Sequence, residues 1–352
     1  MSGRPRVGLI GCGRIGQVHL RNLLAHPEKC EFAALVDSNR GSIETIASAY
    51  RLDRASTDVA LIFDDPTIDA VVIASSTETH AAYIEAAAGS GKSAFTEKPI
   101  ALDLDSTDRA LAAVERAGTR LQVGFQRRFD SGYAQAREAI ESGELGAVEM
   151  IRDAMRDPSP PPKEYLAKSG GLFRDMSIHN FDCVRWLKGE DPVEVFAVGS
   201  ALTSDDVRDV DDIDTSIVTM RFADGSLACI ENSRRSGFGY DVRTEIFGSN
   251  GALMVGDSRE TPVRRYDRLG VHEDHQFFFL ERFAGAYEAE MVSFLDAVAT
   301  DTEVAVTGAD GRTALALAEA AERSRKSGLP VPFGSPAVER AGPDSQRMTI
   351  RA

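Results

Sequence analysis

Cysteine is scarce in this 352-residue chain: there are four, Cys12, Cys30, Cys183 and Cys229, far apart and without a C-x-x-C pair. That spacing argues against a disulfide framework and a structural zinc, and the four read as reduced, mostly buried small side chains. Basic residues are in deficit, 40 against 55 acidic ones. The resulting charge of −15, with no basic stripe, disfavours nucleic acid or an anionic membrane surface as partner. No apolar run approaches the ~18 residues of a membrane span. The opening Met1-Ser2-Gly3-Arg4-Pro5 lacks the apolar region and cleavage site of a secretory signal, so a cytoplasmic location is expected. Internal repeats and long low-complexity segments are missing as well. What is present, 43% hydrophobic and 27% charged residues, is a globular composition. At about 100–200 residues per domain the length favours two domains.

From Arg6 to Phe125, short β-branched runs alternate with helical stretches. Val7–Ile10, Phe32–Val36, Ala70–Ala74, Ser93–Phe95 and Leu121–Val123 read as strands, and Ile15–Ala25, Ser42–Tyr50, His80–Ala88 and Ser106–Ala117 as helices. This rhythm predicts an α/β fold, a doubly wound parallel sheet over residues 1–124. Beyond it, Thr215–Phe222, Asp224-Gly225 and Leu227–Asn232 predict an antiparallel hairpin, and a second pair turns near Ser249-Asn250-Gly251. Helices at Glu281–Ala299 and Asp310–Ser327 are expected to cover one face of that sheet. Residues 125–333 thus read as an α+β domain with an open, largely antiparallel sheet, and 334–352 as a mobile tail.

Gly11-Cys12-Gly13-Arg14-Ile15-Gly16 is G-x-G-x-x-G between a strand and a helix, and Asp37 closes the second strand 21 positions after Gly16. Gly11 permits the tight turn, Gly13 lets backbone approach a pyrophosphate, and Gly16 allows close helix packing. The helix N-terminus offers free N–H groups. An aspartate at the ribose favours NAD over NADP, with Arg40 as a counter-signal. Ser75, Ser76, Thr77 and His80 follow the next long strand, where hydroxyls face the ligand crevice, although Ser76 or Thr77 would also serve as a helix cap.

A nicotinamide that oxidises a secondary alcohol needs a base for the hydroxyl proton and a group that stabilises the developing alkoxide. Glu97-Lys98-Pro99 ends a sheet strand, and the proline extends the backbone at Lys98, which points an ammonium into the crevice or leaves an ordinary solvated lysine. In Gly170-Gly171 to Asp182, helical spacing puts Asp175 and His179 one turn apart, with Asp182 near the next. A carboxylate there can orient the imidazole and raise its basicity. The alternative is a capping aspartate and a half-buried structural histidine, because Ile178, Phe181, Val184 and Leu187 form an apolar stripe.

These motifs, with Gly124-Phe125-Gln126-Arg127-Arg128-Phe129-Asp130, occur in the order that resembles the glucose-fructose oxidoreductase/inositol dehydrogenase/MocA family, over essentially the whole chain to Phe333. Arg156-Asp157-Pro158, Gly239-Tyr240-Asp241 and Phe247-Gly248-Ser249 look like its inositol dehydrogenase branch. The resemblance implies a catalytic set of Lys98, Asp175 and His179, with His179 as base. It implies cofactor contacts from Gly11, Gly13, Arg14, Ile15, Gly16, Asp37, Ser75, Ser76, Thr77, His80, Glu97 and Lys98. Substrate contacts come from Arg127, Asp157 and Tyr240 beside the catalytic set. The implied reaction is NAD-dependent oxidation of a cyclic polyol, foremost myo-inositol to 2-keto-myo-inositol (scyllo-inosose), with a homotetramer or dimer as the assembly. Scyllo-inositol, an aldose, and an NAD-dependent glycosidase reaction are the rivals. His272-Glu273-Asp274-His275 resembles a ligand cluster, yet no further ligand pair accompanies it; it reads as a solvated loop, and no metal is expected. His19 and His26 read as structural.

Overall fold

A computed structural model describes residues 3–256 and 259–334. The expected tail lies, from residue 335 on, outside the described residues. Strand β1 (Arg6–Ile10) runs through the glycine turn into helix α1 (Arg14–Ala25). The alternation continues through β2 (Glu31–Val36), α2 (Arg40–Tyr50), β3 (Ala55–Ser56), β4 (Ala70–Ile73), α3 (Thr77–Gly89), β5 (Ser93–Glu97), α4 (Leu104–Ala117) and β6 (Leu121–Gly124). The strands lie in the order β3-β2-β1-β4-β5-β6, every pair parallel. Helices cover both faces, so Val7, Leu9, Val71, Val72 and Phe95 are all fully buried and the strands read as unbroken apolar runs. Strand order reverses between β1 and β4. The crevice at their C-terminal ends is where such sheets take ligands, and Gly11, Ser75 and Lys98 follow the ends of β1, β4 and β5.

The second sheet contains β7 (Val148–Arg156), β8 (Glu194–Ser200), β9 (Thr215–Arg221), β10 (Leu227–Ser233), β11 (Asp241–Gly248) and β12 (Gly251–Val255). Two further strands, β13 (Arg264–Asp267) and β14 (Gly270–Glu273), form a separate hairpin, and β15 (Val331–Pro332) closes one edge of the second sheet in the order β12-β11-β7-β10-β9-β8-β15. Both expected hairpins are there; Gly225 takes φ +92 at the first turn. Strand β7 pairs parallel with β10, which makes the sheet mixed, though mostly antiparallel. Its inner face packs on α5 (Ser131–Glu141) and α6 (Ile178–Lys188). In α6 the stripe of Ile178, Phe181, Val184 and Leu187 is fully buried, each side chain worth about 1.5–3 kcal/mol of transfer free energy.

The expectation that both C-terminal helices cover this sheet holds only for one. Helix α7 (Ala284–Thr300) packs on α1 and sends Met291, Phe294 and Leu295 into the core of the first sheet. Helix α8 (Gly308–Ser327) spans the two units, touching β8 and α6 on one side and α4 and β6 on the other. Helical periodicity defines a buried stripe; it carries no information about which sheet the stripe meets.

Candidate active site

The glycine turn fits a dinucleotide. Gly11 has φ +97, and a Cβ there would lie 2.4 Å from the Ala74 carbonyl oxygen. A Cβ on Gly16 would lie 2.1 Å from the Gly11 oxygen, so this pair closes the turn against α1. A Cβ on Gly13 meets nothing within 4 Å, and Gly13 caps α1 with no side chain occupying its first N–H groups. That leaves an open approach to uncapped donors, as a pyrophosphate requires. Asp37 accepts from the Cys12 and Asn39 N–H groups at 2.7 Å each, tying the second strand's end to the turn. Arg14 is exposed at the first position of α1, its guanidinium 5.5 Å from the Phe278 ring centre, while Ile15 packs inward.

The other expected cofactor residues divide by burial. Ser75 shares a 2.7 Å hydrogen bond with Thr79, and Thr77 opens α3. Ser76 stands at the cap position, but its hydroxyl makes no capping bond. His80 is buried, its ring between the Pro99 and Ser75 carbonyls at 2.8 and 3.0 Å. It braces the two crevice loops from behind. Glu97 likewise turns inward, bonded to buried His19 at 2.9 Å. Glu290 from α7 joins them. His19, Glu97 and Glu290 bring one ligand atom each within 4.8 Å of the others, and both Glu290 oxygens lack partners. Burial first, then the charge of Glu97, pushes Glu290 well above the ordinary carboxylate range, which favours its protonated form.

Lys98, Asp175 and His179 do converge. The Lys98 ammonium donates to the Asp175 backbone carbonyl at 2.8 Å. Residues Phe173–Ser177 form a wide π-turn rather than the first turn of α6, so the simple helical spacing between Asp175 and His179 does not apply. The Asp175 carboxylate is taken by other groups: Tyr165 Oη donates to Oδ1 at 2.7 Å and Arg234 Nη1 to Oδ2 at 2.9 Å. The expected carboxylate–imidazole pair is therefore corrected. His179 stands edge-on to Phe125 with Nδ1 buried and unpartnered. Burial, then the neighbouring Lys98 and Arg127 cations, hold it well below the ordinary histidine range. The imidazole is thereby kept in its neutral, proton-accepting form at reduced basicity, the opposite of the rise that a carboxylate partner would give. Asp182, one turn on, pairs with Arg128.

Arg127 is 1% exposed and ion-paired with Asp153 at 3.1 Å, its charge acting on His179. Asp153 also accepts from Asn180 and Thr244, and Asn180 accepts from Asn232, whose amide oxygen accepts from Ser177. This buried chain fixes the start of α6 and hence His179. Tyr240 is buried among Phe278, Phe279 and Phe283. Asp157 is half-buried within the field of Arg234, Asp175, Lys98 and Arg14; burial pushes it up to about 6. His272 and His275 do not converge, His272 contacting Asp267 and His275 the Tyr240 carbonyl. Sequence reasoning missed Arg234, Tyr165, Asp153 and Glu290; each lies in an otherwise ordinary local pattern, and only the alternation broken by an inward Asp153 in β7 hints at one of them.

Residues 5–125 match the model of an oxidoreductase family with an NAD-binding Rossmann fold, and residues 133–254 that of the GFO/IDH/MocA C-terminal domain. An inositol 2-dehydrogenase of Rhizobium meliloti is 41% identical, covering 91% of this chain and 96% of its own. A myo-inositol 2-dehydrogenase of Thermotoga maritima is 39% identical over 91% and 96%. The crystal structure of a scyllo-inositol dehydrogenase from Lactobacillus casei, with bound NAD(H) and scyllo-inositol, superposes with TM-score 0.87 at 27% identity, covering 94% of this chain and 99% of that one.

Proposed function

The chain belongs to the Gfo/Idh/MocA oxidoreductase family with NAD as cofactor, and from that premise we propose that it oxidises a ring secondary hydroxyl of a cyclitol, converting myo-inositol to 2-keto-myo-inositol. The observation that carries this reading is the Lys98 ammonium at the end of β5, bonded at 2.8 Å to the Asp175 backbone carbonyl, with His179 four residues on holding a buried, unpartnered Nδ1. Cyclitol as substrate rests on the names of the relatives, and the polar lining suits it: Asp175 and Asp157 are acceptors for neighbouring ring hydroxyls.

Bound NAD supplies the hydride acceptor. His179 takes the proton of the reacting hydroxyl as the carbon loses its hydrogen. Lys98 holds the same oxygen and offsets the negative charge that develops on it, a contribution of about 10²–10³-fold for a preorganised donor. Lys98 and Arg127 then disfavour the imidazolium, so His179 releases its proton and is ready for the next turnover.

The test is a panel of myo-inositol, scyllo-inositol and aldoses with NAD and with NADP, read as absorbance of the reduced cofactor. Myo-inositol with NAD is expected to give the highest kcat/KM. His179→Ala is expected to lower kcat by about 10²–10⁴-fold with NAD affinity retained. No reduced cofactor with any cyclitol, or wild-type turnover in His179→Ala, refutes the proposal.

A further inference from the structure

Asp175 is gripped at three points. Lys98 holds its backbone carbonyl, Tyr165 its Oδ1 and Arg234 its Oδ2. Arg234 follows β10 and is 1% exposed, with its backbone N–H on the Asp214 carbonyl at 2.8 Å. Its Nη2 lies 3.8 Å from Asp212 Oδ2, and Asp212 in turn accepts from the Leu172 N–H at 3.0 Å, just after the Gly170-Gly171 turn. Neither Arg234 Nη2 nor Asp212 Oδ2 has a hydrogen-bond partner, so the link is a charge contact between the guanidinium and the carboxylate that holds the Leu172 N–H. Tyr165 comes from the opposite side, on the short helix Lys163–Leu166 that follows the proline-rich stretch.

We propose that Arg234, assisted by Tyr165, is the positioning residue that aims the Asp175 carboxylate into the cleft; this rests on the reading of Asp175 as a substrate-binding group. A carboxylate has about four lone-pair sites on two oxygens, and one donor on each oxygen fixes the plane of the group while leaving further sites for a substrate hydroxyl. A buried guanidinium achieves this with planar donors that an ammonium does not reproduce. The groups around the carboxylate are Arg234, Lys98, Tyr165, Asp157 and Asp212. Against the opposing pull of burial, Arg234 and then Lys98 hold Asp175 below the ordinary aspartate range, which keeps it an acceptor.

Arg234→Gln in the NAD-bound protein is expected to lower kcat/KM for the cyclitol by about 10- to 100-fold, as when an outer partner of a functional ligand is lost. In an Asp157→Asn background, which removes the other cleft carboxylate that Arg234 influences, Arg234→Gln should move the acid side of the kcat/KM profile to higher pH. Arg234→Lys should recover part of the loss, and Tyr165→Phe should give a smaller loss of about threefold to tenfold. In an Asp175→Asn background, Arg234→Gln should cost less than about threefold more, because it acts through the missing carboxylate. Independently of turnover, carboxyl-labelled aspartate NMR, with Asp175 identified by Asp175→Asn, should show its titration moving up in Arg234→Gln or, should that variant not fold, in Arg234→Lys and Tyr165→Phe. Additive losses in the double variant, or an unmoved Asp175 titration, overturn the proposal. A wild-type protein inactive on every cyclitol, whose Asp175 titration still moves with Arg234, refutes the substrate reading and leaves the positioning role standing.

Discussion

Gly11 and Gly13 lie two residues apart, yet the structure assigns them separable burdens, and alanine at each tests this. At Gly13 the backbone has φ −64 and ψ −170, which alanine adopts freely, and a Cβ meets nothing within 4 Å. Gly13→Ala should therefore leave the apoprotein within about 1 kcal/mol of wild type, the reduced entropy of the unfolded chain offsetting the poorer helix cap that alanine makes. The same methyl stands where a pyrophosphate approaches α1. Overpacking costs about 1–3 kcal/mol, and at about 1.4 kcal/mol per tenfold NAD should bind roughly 5- to 150-fold more weakly. At Gly11 the left-handed backbone alone costs alanine about 1–3 kcal/mol, and the 2.4 Å overlap with the Ala74 carbonyl adds to it; here the apoprotein itself should fail. Urea unfolding without cofactor and calorimetric titration with NAD separate the two effects. A Gly13→Ala protein that binds NAD within about threefold of wild type, or a Gly11→Ala protein of wild-type stability, refutes the placement of the pyrophosphate and the turn.

Burial pushes Asp157 up to about 6, so kcat/KM should decline as pH falls through that value and the group loses its acceptor form; the decline should vanish in Asp157→Asn, and its persistence there would assign it elsewhere. Burial and the charge of Glu97 push Glu290 toward its protonated form, so Glu290→Gln should keep stability within about 1 kcal/mol while Glu290→Ala loses about 2–4 kcal/mol to a cavity. Because the folded acid keeps its proton above the unfolded value, wild-type stability should decline as pH rises through that interval, and Glu290→Gln should flatten the decline; equal losses in both variants by denaturant titration would contradict the protonated state. The outer face of the second sheet exposes Met150, Val198, Ile217, Leu227, Phe247 and Met254, an apolar row of the kind that marks an interface. We propose that it packs on a second copy of this chain, so a Val198→Lys, Ile217→Lys variant should sediment as a smaller species than wild type, and an unchanged sedimentation coefficient would exclude that face.

Much of the fold was legible because its signals are local. The strand–glycine–helix succession, the acid after β2, the Asp224-Gly225 turn and the stripe of α6 each act within a few residues of chain, where periodicity and turn chemistry are strong. Strand β3, only Ala55–Ser56, is too short to leave such a signal. The site was legible as a set of residue types and illegible as a set of partners. Arg127 and Arg128 are adjacent in sequence, yet they ion-pair with Asp153 and with Asp182, partners 26 and 54 positions away.

The amino-acid order by itself determined a dinucleotide turn, a parallel sheet followed by an α+β unit with a largely antiparallel sheet, and a lysine, an aspartate and a histidine as candidates for the chemistry. Tertiary structure alone decided that Asp175 answers to Arg234 and Tyr165 rather than to His179, that Arg127 pairs with Asp153, and that α7 returns to the first sheet. Backbone propensities and turns act along the chain, whereas charge, burial and packing act through space, and in this protein the pairings that set the site join residues as far apart as 91 positions, from Asp153 to Thr244.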